Sequence, residues 1–242
     1  TTDGRVFVAN ARSLLAHAHE FSEQGIELGS RMSGTLHVGC FVTLAPFLLP
    51  GLLGAFQSDY PQIKLTFVEG TLDELTEALI DGVCDVALMY DINLSDELEA
   101  TNVGEAQPYL LLPANHRMKG GPKVSLRHIT EEPYILLDLP ESRDYFFGLF
   151  SAVGCRPNVA YRTTSYEMVR GMVAQGFGYS VLSLRAPTKS SYDGKRLVYR
   201  SLSDKLPTLP IILARPANAR ASARTRAFLE YSERHLESRL RM

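Results

Sequence analysis

Residues Gly34–Leu88 read GTLHVGCFVTLAPFLLPGLLGAFQSDYPQIKLTFVEGTLDELTEALIDGVCDVAL, and the fold is decided within them. Leu36, Val38 and Cys40 alternate as a half-buried strand does. Leu48, Leu49, Leu52, Leu53 and Phe56 then recur at helical spacing until Tyr60 and Pro61 stop the helix. Ile63 to Glu69 alternates again. Thr71, with Glu74 three residues on, has the pattern of a capping box, in which hydroxyl and carboxylate satisfy free backbone amides. Leu75, Ala78 and Leu79 form the inner face of that helix, Gly82 ends it, and Asp85 to Tyr90 gives a third strand. Two strand–helix–strand crossovers in so short a span predict a parallel sheet.

Working outward, the pattern repeats. Tyr109 to Pro113 and Pro133 to Leu137 read as apolar strands, and a helix is expected from about Arg143 to Val153 with Gly154 as terminator. Val159 to Thr163 is a strand. Thr164 with Glu167 reads as a second capping box ahead of a helix over Tyr166 to Gln175, and Gly176 and Gly178 turn the chain into a strand over Tyr179 to Leu184. Leu209 to Ala214 is a late strand expected to return to the first set, followed by a helix from about Ala219 to Arg239. The fold class is therefore α/β, with two similar Rossmann-like lobes. The first is expected over about 34–107 and 209–242, the second over about 108–208.

Upstream, Asp3 to Leu28 reads as one long helix. Phe7, Ala11, Leu14, Ala18, Phe21, Gly25 and Leu28 recur at spacings of four and three, which makes a seam suited to dimerisation with large residues over small ones. Residues 1–33 are accordingly read as a linker and dimerisation helix ahead of the globular part at 34–242.

Composition limits what such a chain does. The 242 residues are 45% hydrophobic and 21% charged with a formal net charge of −2, an ordinary globular balance without the positive field needed to hold a polyanion. No apolar run reaches the length of a membrane span, and the first residues carry charge throughout, so neither a span nor a signal peptide is expected. Cys40, Cys84 and Cys155 lie far apart without CxxC spacing and read as reduced, buried thiols, which places the chain in the cytoplasm. Six scattered histidines give no metal-ligand spacing, so no metal and no cofactor is expected. Phosphate-loop, dinucleotide and serine-elbow motifs are absent, and the chain is not read as an enzyme. Arg220, Arg224, Arg226, Arg234 and Arg239 interleave with Glu230, Glu233 and Glu237, and read as a solvated mixed-charge face.

The Gly34–Leu88 run resembles the opening of the effector-binding domain of LysR-type transcriptional regulators. The resemblance rests on an ordered set of signatures: a Gly-x-Leu strand start, Leu-Leu-Pro, Phe before Tyr-Pro, Glu-Gly-Thr, and Asp-Gly before Cys-Asp-Val-Ala. Thr2-x-Gly4 and the helix after it resemble that family's linker helix, and Met172 to Ser183, with Val-Ala-x-Gly-x-Gly, resembles the second lobe's late helix and strand. The resemblance implies the periplasmic-binding-protein type II architecture and a small-molecule effector in the cleft between the lobes. It also implies self-association as a dimer and tetramer, and promoter DNA as a partner only through a helix-turn-helix domain that this chain lacks. A solute-binding protein of a transport system, with the same fold, is the alternative.

In open α/β sheets a ligand sits beyond the carboxyl ends of strands, near helix starts with unpaired N–H groups. In the first lobe these positions are Phe41, Val42, Thr43, Gly70, Thr71 and Tyr90. Thr43 matches a place where the family often carries a ligand-contacting hydroxyl, and equally could cap the helix that Pro46 helps start. Phe41 departs from the small polar residue of relatives and either closes the pocket or stacks on a ligand. Thr71 could serve as cap or contact, and Tyr90 as contact or core. In the second lobe the candidates are Leu139, Pro140, Ser142 and Arg143 at one helix start, and Thr163, Thr164 and Tyr166 at another. A cation in a first helical turn opposes the helix dipole, so Arg143 reads either as solvated or as the partner of a ligand carboxylate. Together these favour a small organic acid with a flat or apolar body.

Overall fold

The computed structural model describes Thr1, Gly4, Phe7 and residues 32–240. The predicted dimerisation seam lies outside those residues except for Phe7, which is exposed. The chain divides into two compact units. One runs up to Gly104 and resumes at Pro210; the other is Glu105–Leu209.

In the first unit β1 (Gly34–Phe41) pairs in parallel with β2 (Ile63–Gly70) and with β3 (Val86–Tyr90), in the registers Phe41↔Gly70 and Val38↔Val86. Both crossovers are helical, as expected: α1 (Ala45–Asp59) and α2 (Leu72–Ile80). The returning strand β10 (Leu209–Pro216) runs antiparallel to β3, with Ile211 opposite Tyr90, and β4 (Leu98–Ala106) completes the sheet order β2-β1-β3-β10-β4. The helical spacing in α1 buries Leu48, Leu49, Leu52 and Phe56. Phe56 is fully buried, with Tyr60 stacked at 4.6 Å and Phe228 edge-on at 5.0 Å. Phe228 belongs to α5 (Ala223–Leu240), so an apolar stripe on α1 fixes where the last helix lies.

The second unit repeats the plan. Here β6 (Pro133–Leu137) pairs in parallel with β7 (Asn158–Thr163), while β5 (Tyr109–Pro113) lies antiparallel between β8 (Ser180–Leu182) and β9 (Leu197–Ser201). A parallel bridge between Tyr134 and Tyr179 joins these small sheets, with Ile135 N–H donating to the Tyr179 carbonyl at 2.8 Å and Tyr179 N–H to the Pro133 carbonyl at 3.0 Å. Read across, β7-β6-β8-β5-β9 corresponds strand for strand to β2-β1-β3-β10-β4. Helices α3 (Pro140–Ala152) and α4 (Tyr166–Ala174) stand where α1 and α2 stand. Gly178 makes the junction possible, since a Cβ there would lie 2.0 Å from the Pro133 oxygen.

Several boundaries differ from the sequence reading for local reasons. Helix α3 begins at Pro140 rather than Arg143, because a proline's fixed φ and missing N–H suit a first helical position. Strand β8 stops at Leu182 because the Leu184 carbonyl accepts from the Tyr166 hydroxyl at 2.8 Å and the Tyr109 hydroxyl at 3.2 Å instead of from a ladder. The final helix starts at Ala223 rather than Ala219. Arg215 holds the Ala219 carbonyl at 2.7 Å, and Ser222 accepts the Thr225 N–H at 3.2 Å as a cap. Arg224 is buried, so the arginines of α5 are not one solvated face.

Candidate ligand-binding site

At the carboxyl ends of the first unit's strands the backbone turns sharply. Val42 N–H donates to the Gly70 carbonyl at 3.0 Å, and Leu44 N–H to the Phe41 carbonyl at 2.8 Å. The Phe41 ring is buried and meets the Tyr90 ring edge-on at 5.4 Å, so the two rings brace each other within the unit. Thr43 is also buried, and its hydroxyl has no hydrogen-bond partner among the described residues. It does not cap α1: the N-cap position falls on Leu44, one residue later, which has no side-chain oxygen to offer. Thr71, by contrast, is committed to its helix. Its hydroxyl accepts the Glu74 N–H at 3.4 Å and donates to Glu74 Oε2 at 3.0 Å, while that carboxylate accepts the Thr71 N–H at 2.8 Å. Those bonds hold the exposed Glu74 carboxyl below its ordinary range.

In the second unit, Leu139 occupies the N-cap position of α3, again without a side-chain bond, and Pro140 follows. Ser142 is buried with its hydroxyl 3.5 Å from the Leu139 carbonyl. Arg143 does not wait for a ligand: its Nε donates to Asp138 Oδ1, and Arg162 reaches Oδ2 of the same carboxylate at 3.2 Å. That pairing explains how a cation is tolerated in the opening turns of α3. Burial raises the Asp138 carboxyl, but the hydrogen bonds and charges of the two arginines outweigh it and leave it below the usual aspartate range.

The Thr164 capping box is a misreading. Ser165 caps α4 by accepting the Met168 N–H at 3.2 Å, and Thr163 accepts the Ser165 N–H at 3.2 Å, while Thr164 is exposed. The run Thr163-Thr164-Ser165 offers three hydroxyls in a row, and the one with Glu at the right spacing is not the one the turn selects. Tyr166 belongs to the core. Burial raises its hydroxyl to about 12, and that hydroxyl donates to the Leu184 carbonyl at 2.8 Å.

The four crossover helices thus divide by position. Those after β2 and β7 carry side-chain caps, Thr71 and Ser165; those after the equivalent strands β1 and β6 carry none and have proline in their first two positions. The first-turn amides of Ala45 in α1 and Ser142 in α3 find no acceptor among the described residues. At these two helix ends backbone donors lie free at the positive end of the helix dipole. Among the described residues there is no group of three His, Cys, Asp or Glu able to hold a metal, and no helix is long and apolar enough to cross a membrane.

The sequence profile described as the LysR substrate binding domain matches residues 29–237. The chain belongs to this family. A LysR family transcriptional regulator from Pseudomonas aeruginosa is similar over 98% of this chain and 81% of its own, with 37% identity and a TM-score of 0.84. The hydrogen peroxide-inducible genes activator of Dickeya chrysanthemi is 26% identical over 196 residues, which is 80% of this chain and 64% of that protein. More distant in sequence, at 21% identity but with a TM-score of 0.73 over 87% of this chain and 94% of the other, is the BenM effector-binding domain solved with its effector benzoate. These LysR-family relatives are regulators rather than enzymes, and the type II periplasmic-binding-protein fold is theirs as well as this chain's. The transport-receptor alternative thereby loses its basis.

Proposed function

We propose that this LysR-family chain is the sensing part of a cytoplasmic transcriptional regulator, and that its effector is a small organic acid. The observation that carries the reading is the pair of uncapped helix starts after β1 and β6, in a fold whose other crossover helices are capped. An uncapped helix start offers N–H donors and the positive end of the macrodipole, which suits a carboxylate. The unpartnered, buried Thr43 hydroxyl adds a donor beside the first of these, and the braced Phe41–Tyr90 pair supplies an apolar boundary for a flat body. Val42 and Gly70 tie the same strand ends together through their own hydrogen bond, and Leu139 and Pro140 open α3 without a side-chain cap. Benzoate bound to a relative of this fold is in keeping with the class.

In the whole protein, acid binding would alter how a self-associated regulator sits on promoter DNA, with pairing along the Phe7, Ala11, Leu14, Ala18, Phe21, Gly25 and Leu28 seam. Sedimentation of the chain with and without Leu14→Glu tests that pairing. The ligand class is tested by thermal unfolding against aliphatic and aromatic acids, each paired with its neutral amide. An acid far above its dissociation constant adds about 3–4 kcal/mol and a corresponding rise in melting temperature. Amides that stabilise as well as their acids refute the anion requirement.

A further inference from the structure

A pocket lies in the first unit, away from the strand ends just described. It is a half-open hollow of about 330 Å³ between β4, β10, the loop before α5 and the first turns of α5. The register places it at the opposite end of the sheet: Ile211 of β10 lies beside Tyr90 at the candidate site, whereas Leu213 and Arg215 lie further along the same strand. Leu213 and Leu229 give it apolar walls, and its charged lining is Glu99 against Arg215, Arg220 and Arg226.

The charges do not balance locally. Arg215 is spoken for, paired with Glu99 and donating to the Ala219 carbonyl at 2.7 Å and the Pro216 carbonyl at 3.2 Å. Arg226 gives one N–H to the Ala221 carbonyl and makes no ion pair among the described residues; Arg220 makes neither. Both sit at the amino end of α5, where the first turn carries no acidic residue and the dipole already opposes cations. Two guanidinium forks without an ion pair among the described residues, beside a half-open pocket of ligand-sized volume with apolar walls, are the makings of a receptor for carboxylates.

We infer that this pocket is a second small-molecule site, specific for a short dicarboxylate, with Arg220 and Arg226 each engaging one carboxylate and Leu213 and Leu229 contacting the spacer. Arg215 and Glu99 form its fixed floor. The site is independent of the acid site at the strand ends and goes beyond that reading.

The test is a titration of the isotope-labelled chain with glutarate, followed by amide resonances, with butyrate as the single-charge control. The expected result is saturable shifts at Thr101, Ala221 and Arg226, with butyrate at least about tenfold weaker. In the Arg220→Ala/Arg226→Ala protein affinity falls about a hundredfold, roughly tenfold for each charge-assisted contact. Both side chains are exposed, so the double variant keeps its fold, which an unchanged melting curve confirms. Responses at Thr43 and Ala45 report the other site and persist in the double variant. Absence of shifts at Thr101, Ala221 and Arg226, or shifts there that survive the double substitution, overturns the inference and leaves the strand-end site untouched.

Discussion

Arg170 offers the sharpest test of how the second unit is held together. It is 1% exposed, with NH2 donating to the Thr188 carbonyl at 3.0 Å and the Ser190 carbonyl at 2.6 Å, and NH1 to the Tyr199 hydroxyl. Its Nε lies 2.8 Å from Glu167 Oε1 without the alignment of a hydrogen bond, so that contact counts as charge attraction only. Its guanidinium also stacks near the rings of Tyr166 and Tyr199. Truncation by Arg170→Ala removes the clamp on residues 188–190 and leaves Glu167, whose side chain is 18% exposed, without its cation. Breaking one side of a buried pair costs about 3–5 kcal/mol. For a protein of this size that lowers the melting temperature by roughly 6–20 °C. Burial already raises the Glu167 carboxyl despite Arg170, and without Arg170 it rises further. A raised carboxyl favours the folded state when protonated, so the variant's deficit shrinks as pH falls through the carboxylate range and is largest at neutral pH. Adding Glu167→Gln to Arg170→Ala recovers part of the loss at neutral pH. Urea unfolding at two pH values reads all of this. A deficit below about 1 kcal/mol, or one that grows on acidification, refutes the reasoning.

Gly178→Ala forces a Cβ to within 2.0 Å of the Pro133 oxygen at a backbone φ of 153°, and so disrupts the β6–β8 junction at a cost of about 3 kcal/mol or more by chemical denaturation; a native-like midpoint contradicts it. The lowered Asp138 carboxyl lends stability that is full above the ordinary aspartate range and is lost as pH falls through its depressed value, so Asp138→Asn flattens the acid limb of the stability–pH curve between neutral pH and about pH 3. An unchanged acid limb shows that the arginine pairs are solvent-screened. Burial pushes the Cys84 thiol up to about 11 and Cys40 higher still, whereas Cys155 is half-buried with a smaller rise, so a thiol reagent labels Cys155 first and Cys155→Ser removes the fast phase. Fast labelling at Cys40 would contradict their burial.

The architecture was legible wherever periodicity was strong. The strands Tyr109–Pro113 and Pro133–Leu137, the Thr71 cap and the return of the late strand to the first sheet all follow from pattern alone. Strands β4 and β9 escaped notice because edge strands with one wet face carry little apolar alternation; in β4 only Leu98, Val103 and Ala106 are buried. Roles were harder to read than positions. Ser142, Thr43 and Arg143 lie at helix starts as expected, but Arg143 is neutralised by Asp138, five residues before it, a pairing that becomes visible only once the strand-to-helix turn is built. Tyr166 lies at a helix start, as its sequence position implies, but its partner Tyr109 comes from a strand far away in sequence, and only the fold brings the two hydroxyls to 3.3 Å. Cys40 and Cys84 are buried as their apolar neighbours predict, while Cys155, next to the exposed turn at Gly154, is only half-buried.

The most direct test of the central claim follows the backbone amides of Ala45 and Ser142 while the acid that most raises the melting temperature is titrated into the labelled chain. Large, saturable downfield shifts at both, weakened by Thr43→Val and absent with the neutral amide of the same acid, are the predicted result. Saturable binding that leaves these two amides unmoved, or no stabilising acid in the panel, would contradict it.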